Sequence, residues 1–137
     1  MHSGHLKRIL PHLGILISQL VLISCGWQTW FQHEVTDISV QKLQEMIEEE
    51  SKPVLLDVRT QVEYNGSLGK LEVSILLPLS ELKSRYEELL PYKEKLIVIY
   101  CRSGNRSRTA AKFLMGKDFE VVNLKGGIKA WNLLHGL

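Results

Sequence analysis

The chain has 137 residues, 45% of them hydrophobic and 23% charged, with a formal net charge of +2, the composition of one globular domain and not of a disordered or fibrous chain. Two of its 17 basic residues, Lys7 and Arg8, and none of its 15 acidic residues lie in the first 25 positions, so the remainder is electrically balanced. That balance removes a whole-protein electrostatic case for nucleic acid, and no nucleic-acid partner is expected.

The N-terminus reads as a leader. Basic "MHSGHLKR" precedes the apolar run "LGILISQLVLI" at 13–23, and "SCGW" follows, the order of a secretory signal. The run is short for a spanning helix, which needs about 20 apolar residues, and Pro11 and His12 interrupt its extension back to Ile9. "LISC" at 22–25 resembles the lipobox of bacterial lipoproteins, which implies Cys25 as the lipidated first residue of the mature chain. Ordinary cleavage after Gly26 and an uncleaved anchor are the other readings. The division is then a leader at 1–25, a tether at 26–34 and a folded domain at 35–137, exported to the periplasmic side of a bacterial membrane and held there by its lipid or leader. In the tether, Trp27, Trp30 and Phe31 suit a membrane interface or packing on the domain. With Cys25 lipidated or removed, Cys101 is the only thiol of the mature protein. It is then either buried and inert or a reactive nucleophile, and a disulfide framework or cysteine-rich metal site is excluded.

Along the domain, "SVQKLQEMIEEE" places Val40, Leu43, Met46 and Ile47 at helical spacing behind a Ser39 N-cap, with Pro53 beyond as a stop. "PVLLDV" is a buried strand. "RTQVEYNGSLGKLEV" is turn-rich, with one helical turn near Val62–Tyr64. "VSILLP" predicts a strand ended by Pro78, and "SELKSRYEELL" a helix capped by Ser80 and closed by Pro91. "KLIVIY" is the strongest strand signal. "RTAAKFLMG" predicts a helix with Gly116 as C-cap, "FEVVNL" a last strand, and "GGIKAW" the start of a final short helix. Helices and strands alternate, and the strands are aliphatic without polar alternation, as in sheets covered on both faces. The pattern predicts one α/β domain around a mostly parallel sheet.

Sites in such sheets form at the carboxyl ends of strands, and Cys101 directly follows "KLIVIY". The next residues, "RSGNRS", include Gly104 and Asn105, which tolerate positive φ and let a loop curl with its N–H groups inward. The following helix start adds unpaired N–H groups and a positive dipole end. Arg102 and Arg106 add charge, while Arg108 is expected to face outward. All of these favour thiolate, the nucleophilic form of cysteine.

Here the chain resembles the single-domain rhodaneses, a family of sulfurtransferases. "CRSGNRS" is similar to their active-site loop, "LLDVRTQVEY" to their D-V-R followed by E-Y, "ILLPLSEL" to I-P-L-x-E-L, and "NLKGGIKAW" to G-G-x-x-x-W, in the same order over about residues 35–137. The resemblance implies a central parallel five-stranded sheet flanked by helices. It also implies a double displacement: Cys101 takes the outer sulfur of a donor such as thiosulfate as a persulfide and yields it to cyanide or an acceptor thiol. The cradle is Arg102, Ser103, Gly104, Asn105, Arg106 and Ser107, with the two arginines guiding the anionic donor. No metal or organic cofactor is implied. A persulfide carrier that delivers sulfur to a protein partner is the alternative.

Cysteine phosphatases, including relatives of this fold, carry C-x5-R and grip phosphate with the arginine. Here Arg106 is fifth after Cys101 and Ser107 sixth, so the loop is one residue short and is expected to suit sulfur better than phosphate. Asp57 and Arg59 are expected at the carboxyl end of "PVLLDV", either orienting the loop through an ion pair that includes Arg106 or fixing the turn structurally. Gly126 and Gly127 are expected to permit a tight turn, and Trp131 to pack in the core. The five histidines, at 2, 5, 12, 33 and 135, lie mostly in the leader or at the ends, and none is expected to act as a base beside Cys101. In "GKLEVS", Lys70 and Val73 stand where the family often has histidine and small residues, a departure that bears on the local turn.

Overall fold

A computed structural model describes residues 34–49 and 52–137. The leader, Cys25 and the tether aromatics fall outside the described residues. Among the described residues no helix is long and apolar enough to cross a membrane.

The elements run β1 (Asp37–Ile38), α1 (Val40–Glu48), β2 (Val54–Asp57), α2 (Gln61–Tyr64), β3 (Ile75–Leu76), α3 (Leu79–Arg85), a 3-10 helix (Tyr86–Tyr92), β4 (Ile97–Tyr100), α4 (Asn105–Met115), β5 (Val121–Leu124) and α5 (Gly127–His135). The strands form one five-stranded sheet in the order β1-β5-β4-β2-β3, and every pairing is parallel. Successive side chains of a strand point to opposite faces. Leu56, Ile97 and Ile99 therefore pack with Ala110, Ala111 and Leu114 of α4 and Leu82 of α3. Leu55, Val98, Tyr100 and Leu124 pack on the other face with Leu43 of α1 and Ile128 of α5. Two apolar faces explain strands that read as unbroken aliphatic runs.

The strand order makes a switch point. β2 continues outward to the edge strand β3, whereas β4 continues the other way to β5. The chain leaving β2 and the chain leaving β4 thus diverge at adjacent carboxyl ends, where open α/β sheets leave a crevice. Arg59 and α2 follow one strand, and Cys101 follows the other.

Several local expectations hold. Ser39 caps α1 by accepting the Lys42 N–H at 3.1 Å. The turn at α2 is a full capping box, in which Thr60 accepts the Glu63 N–H at 3.2 Å and Glu63 accepts the Thr60 N–H at 3.1 Å.

Others need correction. Helix α3 begins at Leu79 behind Pro78, with no side-chain cap, so Ser80 is not its N-cap. The chain is held extended up to that point because Leu77 N–H donates to Asp57 O at 2.9 Å and Leu79 N–H to Val58 O at 3.1 Å. Pairing with the end of β2, not a hydroxyl, sets where α3 starts. The helix then tightens at Tyr86, and Pro91 lies within the 3-10 segment instead of closing a single helix. Gly116 is the C-cap of α4, as expected, but at φ −68°; the left-handed residue of that turn is Asp118, φ 61°, a residue type that tolerates this region. Strand β1 carried no sequence signal, because its two residues are too few to show a period. Val73, one of the departures noted above, sits 96% exposed at φ 52°, an outlier for a β-branched residue and a local strain at the tip of its turn. Lys70 lies 4.4 Å from the ring centre of Tyr64, a cation–π contact.

Candidate active site

Cys101 directly follows the central strand β4 and is 1% exposed. The loop after it is shorter than the sequence suggests, because Asn105, Arg106 and Ser107 already form the first turn of α4. Gly104 makes this possible at φ 102°, a conformation glycine adopts without steric penalty. Its N–H then donates to Cys101 Sγ at 3.1 Å, and the Ser107 hydroxyl donates to the same sulfur at 3.4 Å. Burial raises the thiol pKa. The Ser107 hydroxyl and the backbone N–H groups of Ser107, Ser103 and Gly104 outweigh it, so the net shift is downward, toward thiolate. These hydrogen bonds, rather than the arginines, make the largest favourable contributions.

The outward side of the loop is held by α5. Ile128 N–H donates to Cys101 O at 2.9 Å and Lys129 N–H to Arg102 O at 3.2 Å. The first turn of α5 thereby takes up the loop carbonyls and leaves the loop N–H groups for the sulfur. The close approach requires glycine: a Cβ on Gly127, φ 56°, would lie 2.3 Å from Cys101 O and 2.8 Å from the carbonyl carbon of Arg102. The Gly-Gly pair does make a tight turn, and it also seats α5 on the backbone of Cys101 and Arg102.

On the other side of the switch point, Asp57 and Arg59 are both fully buried. Arg59 Nη2 donates to Asp57 Oδ2 at 2.6 Å, and Nε lies 2.9 Å from Oδ2 and 3.0 Å from Oδ1. The same guanidinium donates to Gly69 O at 2.8 Å and Glu63 O at 3.3 Å, and it lies 5.6 Å from the centre of the Tyr100 ring. It therefore stitches the end of β2 to α2 and to the following turn. The suggested pairing of this unit with Arg106 is corrected. Arg106 instead forms a two-pronged pair with Glu63, Nη2–Oε1 at 2.6 Å and Nη1–Oε2 at 2.7 Å. The Arg106 hydrogen bonds are the main reason the Glu63 carboxyl is lowered to about 2. Arg108 does not simply face outward, since it pairs with Asp37, which also accepts from Asn123 Nδ2 at 2.7 Å.

Arg102, Ser103 and Asn105 are exposed beside the buried sulfur, while Gly104 and Ser107 are buried with it. An open cavity of about 310 Å³ lies next to the loop, lined by Glu63, Gly66, Ser67, Leu68 and Arg102. Among the described residues Arg102 makes no ion pair. Sequence reading assigned no role to Glu63, although it closes the T-x-x-E capping pattern and belongs to the E-Y motif. It also missed the contact of Gly127 with the loop. Trp131 packs against the core with partial exposure and stacks on His135 at 4.2 Å between ring centres, so this histidine belongs to the end of α5.

An all-parallel sheet that presents a hydrogen-bonded thiol at its switch point defines a cysteine-centred α/β domain. The chain belongs to the rhodanese-like domain family, whose model matches residues 39–134. It is 36% identical over 104 residues to a sulfurtransferase of Allochromatium vinosum, across 75% of this chain and 92% of that one. A solved rhodanese-related protein of Thermoplasma volcanium superposes with a TM-score of 0.64 at 32% identity, over 74% of this chain and 93% of that chain. The chain is also 35% identical over 105 residues to a "Probable molybdopterin-synthase adenylyltransferase" of Porphyra purpurea. It spans only 27% of that relative's length, and 27% of the like-named protein of Pyropia yezoensis.

Proposed function

We propose that this domain moves sulfane sulfur from a small donor such as thiosulfate to cyanide or a thiol, holding it in transit as a persulfide on Cys101. The observation that carries the reading is the sulfur itself, buried at the start of α4 and receiving hydrogen bonds from Gly104 and Ser107. Membership of the rhodanese-like family and the relative named a sulfurtransferase support sulfur transfer in general. The Cys101 thiolate attacks the outer sulfur of thiosulfate. An Sγ–S bond forms, the donor S–S bond breaks, and its electron pair leaves on sulfite. Cyanide or a thiolate then attacks the terminal sulfur and returns the thiolate. The N–H groups that favour thiolate also favour the persulfide anion. The placement of Ser107, rather than an arginine, at the sixth position against the sulfur supports sulfur over phosphoryl chemistry. Purified protein treated with thiosulfate is expected to gain the mass of one sulfur atom, and Cys101→Ser to gain none. Wild-type protein that stays unmodified by intact-mass spectrometry would sink the reading.

A second reading, a carrier that hands its persulfide to a protein partner, is favoured by the length of the Porphyra purpurea relative, of which this domain matches only 27%. Turnover separates the two: a carrier loads stoichiometrically but forms thiocyanate slowly from thiosulfate and cyanide. We also propose export to the periplasmic side of a bacterial membrane with Cys25 lipidated, on the leader pattern alone. Cys25→Ala is expected to move the protein from the membrane to the soluble fraction, and undiminished membrane retention in this variant refutes the lipid anchor.

A further inference from the structure

The charges around the loop do not add up to a site built for a dianion. Arg102 and Arg106 are the two cationic side chains of the segment between Cys101 and Ser107. Arg106 lies close enough to the thiolate that Cys101 is among the groups favouring its charged form. It is nevertheless engaged by both oxygens of Glu63, at 2.6 and 2.7 Å. Glu63 also lines the cavity that Arg102 shares. Its carboxyl, held down to about 2 chiefly by Arg106, is ionised wherever Cys101 is a thiolate. Counting Arg102, Arg106, Glu63 and the thiolate, the charges at the mouth of the site cancel. A dianion meets no net attraction from these four side chains and is left with Arg102 and the loop N–H groups.

We propose that Glu63 is a specificity-determining residue: by pairing with Arg106 it cancels one of the two cations beside Cys101 and so favours a sulfur donor of low charge, a small thiol persulfide, over a dianion such as thiosulfate. The inference rests on the sulfur-transfer reading above and names the donor class for it. With such a donor the Cys101 thiolate attacks the outer sulfur of R–S–SH. The Sγ–S bond forms, the R–S to sulfur bond breaks, its electron pair leaves on R–S⁻, and the proton stays on the transferred sulfur. No outside oxidant or reductant takes part. Thiosulfate remains a poorer donor to the same thiolate.

Glu63→Gln tests this while keeping α2, because glutamine also serves at the third position of a capping box. Steady-state transfer to cyanide is followed with two donors, thiosulfate and mercaptoethanol persulfide. Freeing Arg106 should lower KM for thiosulfate roughly fivefold, the scale of one unit charge acting on a dianion several ångströms away in a well-solvated site, with kcat changed less than about twofold. KM for mercaptoethanol persulfide should stay within about twofold. The double variant Glu63→Gln/Arg106→Gln should lose the gain for thiosulfate, which assigns it to Arg106. An unchanged or raised KM for thiosulfate in Glu63→Gln, or equal shifts for both donors, overturns the proposal. If wild-type protein takes sulfur from neither donor, it is the sulfur-transfer reading that fails; if it takes sulfur from both and Glu63→Gln leaves their ratio unchanged, only the role of Glu63 fails.

Discussion

Arg59→Ala is expected to lower the free energy of unfolding by about 3–5 kcal/mol, because it strands the fully buried Asp57 carboxylate without its partner. Against a typical domain stability of about 5–15 kcal/mol, that is a large fraction. The loss has a second component: Gly69 O and the Glu63 carbonyl lose the donors that join α2 and the turn after it to β2. Urea denaturation of wild type and variant reads the difference as a shift in midpoint at constant slope. Removing both charges, as Asp57→Leu/Arg59→Met, should recover part of the loss, since an apolar pair of similar volume replaces a buried ion pair with little penalty. Full recovery is not expected, because the two carbonyls stay unsatisfied. A single variant within about 1 kcal/mol of wild type would show that the pair is not what closes this end of the sheet.

Gly127→Ala is expected to damage stability and chemistry together. The left-handed backbone alone disfavours an L side chain by about 1–2 kcal/mol, and overpacking adds about 1–3 kcal/mol. The clash is with the carbonyl oxygen of Cys101 and the carbonyl carbon of Arg102, which are backbone and cannot swing aside as a flexible side chain would. Relief comes only by moving α5 off the loop or the loop off the sulfur. The bonds from Ile128 and Lys129 that turn the loop carbonyls outward then lengthen, and the N–H groups around Sγ lose their aim. Sulfur transfer per folded molecule should fall about 100-fold, the scale of a misplacement near 1 Å in a catalytic group. Gly136→Ala is the control, since it also carries a positive φ, 67°, but has nothing within 4 Å of the added carbon. Equal loss of transfer in both variants would detach Gly127 from the site.

These two residues show how differently the parts of the protein could be read. The buried pair was half legible: "LLDVRT" placed Asp57 and Arg59 at a strand end, and their role in fixing the strand–loop turn was one of two readings. The other, a link to Arg106, required knowing what else stood near that guanidinium. Glu63 lies 43 positions away from Arg106 in sequence, and no local pattern spans that distance. Gly127 was legible as a turn and not as a contact, because the space a glycine leaves empty is defined by whatever packs there. The start of α3 misled for the same reason. Ser80 has the chemistry of a cap, but hydrogen bonds from Leu77 and Leu79 to the end of β2 decide where the helix begins.

What the chain encodes locally is the α/β alternation, the apolar strands, the Ser39 cap and the Cys101 loop with its glycine. Each depends on neighbours within one turn or one strand, whose preferences act wherever the segment lies. Strand β1, the divergence of β2 and β4, the Glu63–Arg106 pair and the seating of α5 on the loop emerged only in the folded chain. They join residues far apart in sequence, and their energies exist only once the sheet order has brought those residues together. The thiol and its loop could therefore be recognised from the seven consecutive residues "CRSGNRS", whereas the charge that loop presents to a donor depends on a carboxylate from across the crevice.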